Sequence, residues 1–295
     1  MADLPVNGNG IDAYSPAEVA ARVENVGVTK ANMPLYRMAA LSVLAGAFIA
    51  FGGLFFITVT TDVKVGYGLT QLVGGIVFSL GLILVVIAGA ELFTGNNLLI
   101  MATVGGKIRV RLLLRNWAVV FFFNLLGAFS IAVMAYVAEH YTGSGNLVGA
   151  RALSIGAAKA SLPFGVAFAR AVLCNVLVCL AVWLTAAART VTDKILAVIF
   201  PISGFVALGF EHSIANMFFI PYAMMLKGNA AVTAAANLPA ERLAALDWTG
   251  FWANLVPVTL GNIVGGAVLV GFTYWVCYLW DGYTTPARRK RGSAA

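Results

Sequence analysis

Six long apolar stretches dominate the chain, roughly Met38–Thr60, Leu69–Ile87, Leu112–Ala138, Phe164–Ala188, Ile195–Met225 and Trp252–Leu279. Each is close to the ~20 residues that a helix needs to cross a roughly 30 Å hydrocarbon core. Of 295 residues, 61% are apolar and 11% charged, whereas soluble domains are about 25% charged. With a mean hydropathy of +0.90, a soluble fold is excluded and the chain reads as an all-α polytopic membrane protein embedded in the lipid bilayer. The 31 Gly residues sit largely inside the apolar runs, where small residues let membrane helices approach closely.

An even number of spans puts both termini on one side. Thirteen Lys and Arg flank that side, including Arg22, Lys30, Arg37, Lys107 and Arg288–Arg291, against five on the other: Lys64, Arg151, Lys159, Lys227 and Arg242. The positive-inside rule then predicts cytoplasmic termini. The net charge of +7 is thus an orientation signal, and no nucleic-acid partner is expected. The first 30 residues hold Asp3, Asp12, Glu18 and Glu24 and no apolar core, so the first apolar helix is expected to direct insertion itself. The expected organisation is a cytoplasmic segment over 1–37, a six-helix membrane domain over 38–280 and a basic tail over 281–295. Within the first segment, Ser15-Pro16-Ala17-Glu18 has the form of a helix start, Ser as N-cap and Pro at N1. Val19, Val23 and Val26 follow at helical spacing, suited to packing under the bundle. Three Cys, all in apolar runs, and two His supply neither a disulfide framework nor a metal or haem site, and no cofactor is expected.

Gly89–Ile100 and Gly209–Ile220 align with Gly, Glu, Asn and Ile in register. Each lies late in the second apolar run of a three-helix half, and each half closes on a similar phrase, Asn124-Leu125-Leu126-Gly127 and Asn262-Ile263-Val264-Gly265. Three helices per half require the two copies to lie upside down to one another. Glu91 and Glu211 would stand at membrane depth, which is costly unless they are paired or hydrogen-bonded. They read as supports for interruptions in helices two and five, accepting freed N–H groups, with Asn96 and Asn216 beside them; direct contact with passing ions is the other reading. Helix N-termini aimed at the midplane would favour anions. His212 is the one His inside an apolar run, beside Glu211. Satisfied burial in a core and donation of a hydrogen bond or proton to a small carboxylate both fit it. His140 reads as a solvated loop residue and Arg170 as snorkelling to the membrane surface. Phe78, Leu82 and Phe205 stand one or two turns before the interruptions, either as core or as apolar constrictions near His212. Thr94 offers a hydroxyl to the same path.

At these residues the chain resembles the formate/nitrite transporter family, the formate channel branch above all. The phrases that carry the resemblance are Leu72–Leu84, Gly89–Thr94, Asn175–Trp183, Phe210–Pro221, Val256–Gly266 and Gly271–Leu279. The resemblance implies a homopentamer of six-helix protomers in the inner membrane, each with an aquaporin-like pore and with helices two and five broken. It implies that His212 is the central pore histidine, Thr94 part of a mobile loop, Asn175 a polar partner in the pore, and Lys159 the basic residue that draws anions into the outer vestibule. It further implies that Phe78, Leu82 and Phe205 form the constrictions and that the N-terminal helix gates the inner mouth. Glu91 replaces the family's usual Asp, and Gly95-Asn96-Asn97 replaces a Ser-Thr run. The expected function is passage of formate, with nitrite tolerated. A nitrite channel and an aquaporin-like neutral-solute pore are the alternatives, the latter without its Asn-Pro-Ala boxes. With no second His or cofactor domain at the break, an enzyme is not expected.

Overall fold

The computed structural model describes residues 12–284; the basic run Arg288–Arg291 lies outside them. Every regular element among the described residues is helical. Five segments are long and apolar enough to cross a membrane: Leu35–Val59, Tyr67–Gly89, Val110–Val137, Phe164–Ala187 and Trp248–Tyr278. A sixth apolar helix, Ser213–Leu226, is shorter.

The chain opens with α1 (Pro16–Ala31), where the Ser15 amide donates to Glu18 at 2.8 Å. This satisfies one of the amides that a helix start leaves free. Val19, Ala20 and Val23 of α1 are buried against the bundle, while Val26 is 51% exposed. Next come α2 (Leu35–Val59), α3 (Tyr67–Phe78) and α4 (Leu80–Leu84), which runs through a π turn to Gly89. Gly89 adopts φ +81, a conformation open to glycine at little cost, and helical hydrogen bonding stops there. After a 3-10 turn, α5 (Ile100–Val104) leads to α6 (Val110–Val137), α7 (Leu147–Ala160) and α8 (Phe164–Ala187).

The fifth apolar run is divided. α9 (Val191–Ala207) stops two residues before Gly209, again with positive φ, and α10 (Ser213–Leu226) starts four residues after that glycine. Short α11 (Ala230–Ala236) and α12 (Ala240–Ala244) precede α13 (Trp248–Ile263), which passes through a π stretch into α14 (Thr273–Tyr278) and α15 (Trp280–Thr284).

Two helix crossings set the frame. On α6, a Cβ at Gly127 would collide with the Val43 carbonyl of α2; after α13, a Cβ at Gly265 would collide with the Val172 carbonyl of α8. These are the glycines that close the two similar phrases in the sequence. They bring backbone against backbone, and in lipid such packing holds helices together in place of a hydrophobic driving force.

Candidate functional site

At the first interruption, residues 90–94 are non-helical; the Glu91 amide donates to the Leu41 carbonyl at 3.2 Å, and an asparagine side chain takes up other freed groups. Asn124 of α6 accepts the Phe93 amide at 2.9 Å and donates to the Ser42 and Glu91 carbonyls at 2.7 and 2.9 Å. At the second, Asn262 of α13 accepts the Ser213 amide at 2.9 Å and donates to the Ala171 and Glu211 carbonyls at 2.9 and 3.1 Å. The two sets of contacts correspond residue for residue.

The carboxylates correspond too. Glu91 pairs with Lys30 at 3.0 Å and accepts from Asn96 at 2.7 Å; Asn96 also donates to Asn116 at 3.0 Å. Glu211 pairs with Lys159 at 2.9 Å and accepts from Asn216 at 2.6 Å; Asn216 also donates to Asn254 at 2.7 Å. Asn116 donates to the Lys30 carbonyl and Asn254 to the Lys159 carbonyl, closing each ring. A buried charge needs such compensation, since a lone carboxylate in a low-dielectric interior is strongly disfavoured. The partners of both glutamates are a lysine and an asparagine side chain rather than the freed backbone amides expected; of those amides, Phe93 and Ser213 donate to Asn124 and Asn262. Sequence reasoning missed Lys30, Asn116 and Asn254 as members of these rings. The equal eight-residue spacing of Asn116–Asn124 and Asn254–Asn262 was the available signal.

The interruptions meet at one point. The Nε2 atom of His212 lies 3.0 Å from Thr94 Oγ1, and Nδ1 accepts the Ala215 amide at 3.1 Å, so the imidazole caps α10. Since Nδ1 is an acceptor, the proton of the neutral ring sits on Nε2 and points at Thr94. Asn175 lies behind this contact: its amide is 2.6 Å from the Asn262 carbonyl, 2.8 Å from Asn97 Oδ1 and 3.3 Å from the Thr94 carbonyl. It holds the Thr94 segment in place and lines neither of the cavities described next.

On the side away from α1, a cavity of about 550 Å³ is bordered by Lys159, Glu211, His212, Phe78, Phe205 and Phe219. On the α1 side, one of about 450 Å³ is bordered by Lys30, Glu91, Asn96 and Leu82. Between them Phe78, Leu82, Phe205, Thr94 and His212 are each at most 4% exposed. Phe205 stacks on His212 at 5.8 Å and meets Phe78 edge-on at 5.8 Å. Phe78 and Phe205 thus stand on one side of the His212–Thr94 contact and Leu82 on the other. His140 is half-buried and touches Thr58 Oγ1 at 3.0 Å and the Tyr222 hydroxyl at 3.3 Å. It joins helices, unlike the solvated residue expected from its sequence position.

Two cavities, each bordered by a lysine and one of them also by the imidazole, in a bundle of membrane-length apolar helices, define a membrane protein built to admit small polar solutes. The chain belongs to the formate/nitrite transporter family: residues 17–276 match that family's model. It is 40% identical over 276 residues to "Formate channel FocA" of Escherichia coli K12, covering 92% of this chain and 96% of that one. A solved "Pentameric formate channel with formate bound" superposes with a TM-score of 0.77 at 44% identity, covering 83% of this chain and 98% of that one. An "FNT family ion channel" gives a TM-score of 0.71 at 29% identity, covering 89% and 98%.

Proposed function

We propose that the chain passes formate and related small monovalent weak-acid anions, nitrite among them, through one path in each protomer of a pentamer. The observation that carries this is the 3.0 Å His212–Thr94 contact between two lysine-bordered cavities. An anion in the apolar gap of Phe78, Leu82 and Phe205 is stripped of water, which is costly for a full charge. Lys159 and Lys30, each paired with its glutamate, border the two entrances, and the Nε2–H of His212, released from Thr94, donates to the anion at the narrowest point. A weak acid gains more than a strong one, because a proton acquired there makes it neutral. With Nδ1 occupied by the Ala215 amide, a second ring proton requires that cap bond to break. His212 is therefore a hydrogen-bond donor at neutral pH; in acid, once the cap bond opens and Nδ1 takes a proton from solvent, Nε2 can release its own proton to the anion, which crosses as the neutral acid.

The matched contacts of Asn124 with Asn262, and of Glu91 with Glu211, support reading the fold as two inverted three-helix repeats with helices two and five interrupted. We further propose a cytoplasmic-membrane location with both termini inside, the segment 1–37 closing the inner side beneath the 38–280 channel domain.

The test is uptake of formate and nitrite into proteoliposomes at several pH values under a clamped potential, for the wild type and His212→Asn. Electrogenic wild-type flux at neutral pH that approaches electroneutrality in acid only with His212 present is the expected result. Passage of water or a neutral solute with neither anion moving would overturn it.

A further inference from the structure

The lysine at each entrance is already neutralised by its glutamate, so the pair Lys159–Glu211 adds little net charge to the cavity on the far side from α1. The same cavity is also bordered by Arg151. This guanidinium is held by its Nε–H, which donates to Thr60 Oγ1 at 3.1 Å, and it lies 5.8 Å from the centre of the Phe56 ring. Among the described residues no carboxylate lies within 4.0 Å of it. An arginine has five N–H donors in a planar fork, and only the Nε–H of this one has a partner. A half-buried cation with its orientation fixed, its two terminal amino groups free and no counter-ion is built for an anion that arrives from solution.

Its position continues the path outward. Phe205, Phe78 and Phe219 form a contiguous row from His212, with Lys159 over Phe219 at 5.6 Å; Phe56 is the next ring, edge-on to Phe219 at 6.2 Å. Arg151 over Phe56 is thus one ring further out than Lys159. Gln71, whose side-chain oxygen is buried without a partner, borders the same cavity. A second observation comes from the matched halves. Arg151 precedes Lys159 by eight residues, as Arg22 precedes Lys30. Arg22 borders the α1-side cavity, packs over the Tyr14 ring at 3.9 Å and likewise forms no ion pair among the described residues.

We infer that Arg151 is a binding residue for small monocarboxylate anions, a docking point outside Lys159 that is half-buried where the other unpaired arginines bordering this cavity, Arg170 and Arg242, are exposed, with Arg22 its counterpart at the other mouth. The inference rests on the proposed function for the identity of the anion, while the site itself is defined by the unpaired guanidinium.

The experiment uses the full chain in two formats. In proteoliposomes, Arg151→Gln is expected to raise the half-saturating formate concentration about three- to tenfold at low salt, with a smaller factor at high salt and an unchanged maximal rate. Arg151→Lys, which keeps the charge and loses the fork, is expected to fall between. In detergent, broadening of the formate proton resonance by the protein is expected to drop by more than half in Arg151→Gln. Wild-type half-saturation together with wild-type broadening in this variant would overturn the inference, as would a lowered melting temperature with no change in either, which assigns Arg151 to bracing α7 alone. If Arg151→Gln does not fold, Arg151→Lys decides on the same two readings. A wild type that binds formate through Arg151 yet passes none would refute the proposed function and leave this site standing.

Discussion

After the buried Glu91 the next residue is Leu92, then Phe93 and Thr94; after Glu211 it is His212, then Ser213 and Ile214. Around these two triplets the contacts are the same: a lysine and an asparagine on the carboxylate, a second asparagine on the first, and a third binding the backbone of the turn. The frame is duplicated and the chemistry is not. One copy supplies an imidazole, the other a hydroxyl, and they meet at 3.0 Å. Two identical triplets would bring leucine against threonine there, or histidine against isoleucine, and neither holds an imidazole against a hydroxyl. The lesson is that the polar frame carries the cost of interrupting helices in lipid, leaving the central residues free to differ.

The lysines differ as well. Lys159 belongs to α7 and its side chain is 16% exposed, while Lys30 belongs to α1, at 26%. α1 is further tied by Glu24, which pairs with Lys107 and accepts from the Tyr283 hydroxyl at 2.8 Å.

The sharpest way to break the comparison is to strip each carboxylate of its cation. Lys159→Met is expected to destabilise the protein by about 3–5 kcal/mol, since it strands a buried charge. Lys30→Met should cost less, because α1 can admit water to Glu91. Melting of the detergent-solubilised protein measures both, and equal losses would erase the distinction between the two sides. Next in size, Asn262→Leu and Asn124→Leu each strip the partner from one amide and one carbonyl of an interruption and remove its tie to a carbonyl of the neighbouring helix, Ala171 or Ser42. We expect about 1–3 kcal/mol from each and closely similar values. A large inequality in thermal or denaturant unfolding would show that the frames are alike in geometry only.

Thr94→Val tests the centre. The Nε2–H of His212 loses its partner and the frame is untouched, so formate flux should change several-fold with melting within about 1 kcal/mol of wild type. Unaltered flux and pH dependence in proteoliposomes would count against a working His212–Thr94 contact. The smallest effect lies at His140, which has no counterpart in the other half. Thr58 Oγ1 also contacts the Leu54 carbonyl at 2.9 Å, and burial holds the imidazole below its usual value. The unfolded chain therefore takes up a proton first as pH falls, so the stability conferred by neutral His140 is complete above about pH 6.5 and is lost progressively below it. His140→Gln should flatten the decline of melting temperature between about pH 7 and pH 5. An identical slope would remove His140 from the acid response.

Much of this architecture is legible in the sequence because it rests on local periodicity and on rare residues. Apolar runs of membrane length mark the spans, Gly89 and Gly209 the ends of helices, and a glutamate in hydrocarbon demands a partner wherever it stands. The partners themselves are harder to find. Lys30 reads as one more positive residue on the terminal side, and only the approach of α1 to the first interruption turns it into the counter-ion of Glu91. Asn175 reads as a pore residue by resemblance, and its three short contacts show it bracing the Thr94 segment. Arg151 and Arg22 look like loop and surface charges until the cavities they border are seen.

By itself, then, the amino-acid sequence determined the membrane class, the duplicated motif with its Glu and Asn pairs, and the isolation of His212 as the titratable group in the second break. Each of these is a matter of composition, spacing or burial cost along one segment. Tertiary structure alone decided which lysine meets which carboxylate and which hydroxyl meets His212. Those are contacts across 50 to 120 residues of chain, set where glycines such as Gly127 and Gly265 let one helix backbone rest against another, and no local pattern encodes them.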